Sequence, residues 1–203
     1  LLSRGLGDVY KRQILDNIVL DKNVIQIIKS RKSIYPSQFS GKILENSIIS
    51  ELIDISNYAP SHKMTQPWVY RVFTPKTKDK LLNHILNINS ENFRKHQVDK
   101  MKEKFQLTSH IICICMRRDK DKSVPEWEEV AATSMAVQNL WIAMVNSRVG
   151  GYWSTPKYSK DLSTFLNLNE GERCLGLFYL GYVENEISKN LLRKDISKDT
   201  KWQ

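Results

Sequence analysis

Ser123-Val-Pro-Glu-Trp-Glu-Glu-Val-Ala-Ala-Thr-Ser-Met-Ala-Val-Gln-Asn-Leu-Trp-Ile-Ala-Met-Val145 joins a helix start to a run that is apolar on almost every side. Ser123 and Glu126 have the spacing of a capping box. Pro125 falls in the first turn, and Glu126, Glu128 and Glu129 suit the positive end of the helix dipole. From Val130 onward Ala131, Ala132, Met135, Ala136, Val137, Leu140, Trp141 and Ile142 leave almost no polar face. The spacing predicts a helix from Val124 to Ser147, roughly 36 Å long, with Gly150-Gly151 as its stop. A helix hydrophobic all round is buried in a core or in an oligomer interface.

Strands flank this helix. His110 to Met116 is short and almost wholly apolar, as expected of a strand covered on both faces. Cys113 and Cys115 lie two apart and so share one face; no cluster at metal-ligand spacing accompanies them, and they read as buried, inert thiols. Tyr152-Trp153-Ser154 and Cys174 to Val183 read as further strands, and so does Trp68 to Thr74, which alternates and is rich in β formers. Amphipathic patterns over Asp16 to Lys32, Ile43 to Tyr58, Lys76 to Asn89 and Glu91 to Phe105 predict helices. The expected class is α+β: a mixed sheet flanked by helices, with the apolar helix at its centre.

At 203 residues, 41% hydrophobic and 26% charged, the chain suits one domain with a real core. Three cysteines exclude a disulfide framework and point to a reducing, cytoplasmic setting. No apolar run approaches a membrane span. Leu1 to Gln13 differs in composition and reads as a non-native or disordered tail, leaving 14–203 as the domain. The net charge of +9 raises nucleic acid or a phosphate-bearing ligand as partner. Arg4, Lys11 and Arg12 against Asp8 place +2 of it in the tail. The remainder forms no strip interleaved with aromatics, as a single-strand platform would require. A nucleic-acid-binding protein is thus the weaker reading, and a phosphate-bearing small ligand the stronger.

Three short stretches could carry chemistry. Ser30-Arg31-Lys32-Ser33 offers a guanidinium fork, a point charge and hydroxyls, a set suited to phosphate; taken alone it reads more readily as a solvated basic helix end, since such tetrads are common in a Lys-rich chain. Ala59-Pro-Ser-His-Lys-Met-Thr-Gln-Pro-Trp68 is a loop held between two prolines that displays Ser61, His62, Lys63, Gln66 and Trp68, a candidate ligand loop. Gly150-Gly-Tyr-Trp-Ser-Thr-Pro156 sets a flat indole and hydroxyls beside glycines that allow close approach, or is simply a helix stop and a core Trp. Phosphate-loop, dinucleotide and nucleophile-elbow motifs are all missing. A reactive centre would therefore come from a bound cofactor.

These stretches, together with Val124-Pro-Glu-Trp-Glu128, resemble in order and register the FMN-dependent nitroreductase family, in its short, compact branch. The resemblance covers about Asp16 to Val183. It implies an obligate homodimer with the long helix at the dimer interface and two FMN sites shared between subunits. Arg31, Lys32 and Ser33 match positions that bind the FMN phosphate and ribityl chain. Tyr58 and His62 match positions that reach the partner's flavin, although close relatives carry Arg where this chain has Tyr58. Gln66 belongs to the same cofactor loop. Trp153, Ser154 and Thr155 match the stretch beside the flavin ring, and Ala143 to Arg148 a nicotinamide segment in which Arg148 replaces a Gly. The implied activity is NAD(P)H-dependent reduction of nitro compounds or quinones by ping-pong hydride transfer through flavin N5, with no side-chain acid or base. Reductive dehalogenation or flavin turnover on the same fold is the alternative, with the substrate lid expected between Asn87 and Thr108.

Overall fold

The central strand is apolar because both of its faces are covered. In the computed structural model, which describes residues 19–185, 187 and 192–203, β2 (His110–Arg117) is buried from His110 through Met116. Ile111, Cys113 and Cys115 face one core with Leu81, Ile85, Phe105, Leu177 and Tyr179. Ile112 and Ile114 face another, with Leu44, Ile49, Leu52, Val137, Leu140, Phe178 and Leu180. This strict alternation is the two-residue period of a strand set between two helical layers.

The other elements follow from that frame. The helices α1 (Lys22–Ser30), α2 (Asn46–Ser56), α3 (Lys78–Ile88), α4 (Lys95–Leu107) and α5 (Glu126–Ala143) alternate with β1 (Trp68–Phe73), β2, β3 (Val149–Ser154) and β4 (Glu172–Tyr182). The sheet order is β1-β2-β4-β3. One layer is built from α2 and α5, the other from α3 and α4. All three pairings are antiparallel, so among the described residues the expected mixed sheet is antiparallel throughout. The crossover through α5 does make β2 and β3 parallel to one another, but β4 inserts between them and pairs antiparallel with both.

Two units can be distinguished, one ending at Arg31 and one running from Lys32 to Gln203. In the first, Asp21 caps α1 by accepting from the Asn23 amide at 2.7 Å, and Arg31 leaves the helix in extended conformation. The suspected tail, 1–13, lies outside the described residues. Among the described residues no helix is long and apolar enough to cross a membrane.

The helix α5 departs from the expectation in its length, its cap, its stop and its faces. It spans 18 residues, and its N-cap is Pro125 with no side-chain cap; at 1.5 Å per residue that is about 27 Å. Ser123 does not cap it: its amide is taken by the Asp119 carboxylate at 2.9 Å and its carbonyl by Lys63. The first turn is fixed instead by Glu129, which is buried, bonded to Arg118 and accepting from the Asp119 amide at 2.7 Å. Nor do Gly150 and Gly151 stop the helix. They lie inside β3, where a Cβ on Gly150 would come within 2.7 Å of Val183 and one on Gly151 within 2.6 Å of Phe178. Their small size, not a helix end, is what the packing requires. The helix also has two unlike sides: Ala132, Thr133, Ala136, Val137 and Leu140 are buried, while Trp127 is 69% and Met135 41% exposed.

Candidate functional site

The loop between α2 and β1 is strained and clamped. Lys63, Met64 and Gln66 hold φ of 52°, 55° and 42°, a left-handed region that costs a non-glycine residue about 1–2 kcal/mol. Such backbone persists only where its surroundings enforce it, and it concentrates at functional sites. The restraints here are specific. Ser61 accepts from the Gln66 amide at 3.2 Å, closing the loop on itself. Lys63 Nζ donates to the Ser123 carbonyl at 3.0 Å, and His62 Nδ1 lies 2.6 Å from Glu128 Oε2. Both ties bind the loop to the start of α5. Trp68, at the loop's end, donates its indole N–H to Asn57 Oδ1 at 3.0 Å.

Beside this loop opens a groove of about 580 Å³ lined by Ile53, Asp54, Asn57, Tyr58, Gln66, Trp68 and Tyr70. Tyr58, 86% exposed, stands at its rim. The Tyr70 hydroxyl lies 2.9 Å from Ser56 Oγ, and burial raises its pKa above the ordinary tyrosine value, so it stays protonated. Tyr58 and Gln66 thus share one groove, with His62 a few residues away on the clamped loop.

Lys32, Ser33 and the Trp153-Ser154-Thr155 stretch lie at the other edge of the sheet. The Ile34 amide, next to Ser33, donates to the Gly151 carbonyl at 3.0 Å, and Trp141 Nε1 donates to the same carbonyl at 3.1 Å. Tyr35 packs on Tyr152 with ring centroids 4.7 Å apart. Lys32 and Ser33 are thereby aligned with the start of the Trp153-Ser154-Thr155 stretch. Lys32 Nζ donates to the Ile187 carbonyl; an ammonium carries three donors, so two remain. Trp153 is half-buried, its Nε1 buried without a hydrogen-bond partner. It fits because β4 carries Gly176 at a bulge, with φ of 148°, where a Cβ would fall 2.4 Å from the Ser154 carbonyl oxygen and 2.7 Å from Trp153 Nε1. Ser154 is half-buried and Thr155 exposed. Arg31 belongs to the first unit, where its amide donates to the Ile27 carbonyl at 3.1 Å.

The predicted nicotinamide segment starts at the last residue of α5, Ala143, with Met144 as the C-cap. After Ala143 the chain turns, Asn146 taking a φ of 62°, and Arg148 donates from Nη1 to the Glu184 carbonyl. Within the expected lid, α4 places Lys104 Nζ 3.7 Å from the Tyr179 ring centroid and 5.7 Å from that of Tyr152. Burial lowers its pKa to about 8. Sequence reasoning missed both Lys104 and Glu128. Glu128 reads as a dipole complement, because a partner 66 residues away along the chain leaves no local signal.

The candidates from Lys32 onward therefore form two groups on opposite edge strands, β1 and β3, separated by three strand spacings or about 14 Å. Between them the sheet face is filled by side chains of α2 and α5.

The sequence profile of the nitroreductase family matches residues 28–182. This chain belongs to the nitroreductase family. YfhC of Bacillus subtilis (strain 168), whose name assigns it provisionally to the NAD(P)H nitroreductases, is 25% identical over 181 residues, 83% of this chain and 90% of its own. The crystal structure of a nitroreductase-like family protein from Bacillus cereus superposes with a TM-score of 0.79 at 22% identity, covering 91% of this chain and 97% of that one. A point mutant of NfnB, an FMN- and NADPH-dependent nitroreductase of Sphigopyxis sp. strain HMH, gives 0.70 at 13% identity over 89% and 98%. The match takes in α5, both edge strands and both candidate groups.

Proposed function

We propose that this chain is an NAD(P)H-dependent, FMN-containing oxidoreductase acting on nitro compounds or quinones, working as a homodimer whose flavin sites are each built from two copies. The observation that carries this reading is the separation of the two groups. One lies on β1 and the α2–β1 loop, the other on β3, and the helices α2 and α5 occupy the sheet face between them. A second copy supplies the missing group without crossing that filled face. The exposed Trp127 and Met135 on the outer side of α5 give such a copy an apolar surface to cover.

The residues fit FMN. The donors of Lys32 and Ser33, with the Arg31 guanidinium, suit a phosphate dianion and the hydroxyls next to it. The Trp153 indole, seated over Gly176, offers a flat face and an N–H with no partner of its own. FMN, when bound, supplies the centre that takes a hydride from NAD(P)H and passes electrons to the oxidant. The chain's own residues bind and orient it: Arg31, Lys32 and Ser33 hold the phosphate end, Trp153, Ser154 and Thr155 flank the ring, and the second copy's loop with Tyr58, His62 and Gln66 closes the site. The clamped conformation of that loop means its donors are ordered before the ligand arrives, which reduces the entropy lost on binding.

Titration of the purified protein with FMN, followed by anaerobic addition of NADH or NADPH, tests the reading. We expect saturable binding and bleaching of the flavin band, with colour returning on addition of a nitroaromatic or quinone. A protein that takes up no FMN would overturn it.

A further inference from the structure

We infer that Glu128 is a positioning residue for His62: its carboxylate holds the Nδ1–H and so leaves Nε2 as the ring atom that His62 presents to the ligand. That Nε2 faces flavin rests on the function proposed above; the tie between the two side chains does not.

The argument starts from the donor inventory. An ionised carboxylate only accepts, so at 2.6 Å the proton sits on Nδ1. Nε2 is then a lone-pair acceptor in the neutral ring and a second donor in the cation. Glu128 can serve because its neighbour cannot: Glu129 is buried and engaged by Arg118 and the Asp119 amide. That engagement fixes the first turn of α5, which in turn fixes where Glu128 projects. Nor is the His62–Glu128 pair placed for stability. Its side chains are 57% and 23% exposed, and ion pairs so exposed contribute little. What it does is hold a ring on a loop whose Lys63, Met64 and Gln66 already occupy the left-handed region. The Lys63–Ser123 bond, one residue further along, keeps that loop from swinging away.

The test uses the whole chain and four variants, Glu128→Ala, Glu128→Gln, His62→Ala and the double variant Glu128→Ala/His62→Ala, with two readouts. The first, ¹⁵N NMR of the His62 ring, needs no FMN. Wild type and Glu128→Gln, whose amide oxygen still accepts, are expected to show the Nδ1–H form, and Glu128→Ala to lose it. The second is the FMN dissociation constant. Glu128→Ala should weaken it about tenfold, the loss of one charge-assisted hydrogen bond. Glu128→Gln should restore it to within about threefold of wild type. His62→Ala should match Glu128→Ala, and the double variant should be no worse than either, as for residues acting as one unit. Retention of the Nδ1–H form in Glu128→Ala, or losses that add in the double variant, would overturn the proposal. The expected ring result combined with unchanged FMN affinity in His62→Ala would instead overturn the flavin role of His62 and leave the tie standing.

Discussion

Gly176 shows how a single residue can set the shape of a site. With φ of 148° and a hypothetical Cβ 2.4 Å from the Ser154 carbonyl oxygen, Gly176→Ala adds strain and a clash with backbone that cannot swing aside. We expect a loss of about 2–4 kcal/mol, read as a lowered denaturation midpoint, together with a changed environment of Trp153 seen in its fluorescence. Lys104 is a second test. Its folded-state pKa, about 8, lies below the ordinary value of 10.5, so between these two the unfolded chain binds more protons and stability rises with pH. Below pH 8 the whole desolvation penalty is present. Lys104→Met should therefore stabilise the protein at pH 7, by about 1–3 kcal/mol, and flatten its stability between pH 8 and 10. A variant as pH-dependent as wild type would show that another group is responsible. At this scale the sequence was only partly legible. Arg31, Lys32 and Ser33 stand out as the proposed phosphate group because adjacent cations and a hydroxyl suit phosphate, although alone they read as a basic helix end. Glu128 and Lys104 do not, since their partners arrive from distant segments.

Among the elements, the strands were the most readable. β2 is apolar from Ile111 to Met116 because helices cover both faces, and β1, an edge strand, passes from buried Trp68 and Val69 to exposed Val72. Among the described residues the helices were legible in number but not at their ends. The cap assigned to Ser123 failed because Asp119 and Lys63 engage its backbone and Pro125 turns the chain instead. The glycines of β3 read as a helix stop because a sequence cannot show that Val183 and Phe178 sit where their side chains would go. The sheet's direction was hidden for a related reason: β4 comes last in the chain yet inserts between β2 and β3. The layer formed by α5 makes its own prediction. Leu140, fully buried between α5 and the sheet, should cost about 2–5 kcal/mol on substitution by Ala. Exposed Trp127, changed to Ser, should leave the fold of the single chain intact while weakening self-association, as read by sedimentation at falling concentration.

For the whole molecule, what matters is that the two halves of the candidate site lie on opposite edges of one sheet. The sequence placed the motifs in order but could not show that the sheet would separate Trp153 from Tyr58, His62 and Gln66. Only the strand order β1-β2-β4-β3 shows that. In the dimer proposed above, a two-fold axis would bring the edge of one copy to the opposite edge of the other and create two equivalent sites. The measurement that bears most directly on this is complementation between two inactive variants, Arg31→Ala/Lys32→Ala and His62→Ala/Gln66→Ala, unfolded together and refolded as a mixture. If each site is shared, every mixed dimer carries one fully wild-type site, and the mixture should regain tight FMN binding at roughly one site in four. If a single chain holds the whole site, every site keeps one lesion, and a mixture that binds no more FMN than its separate components would contradict the account.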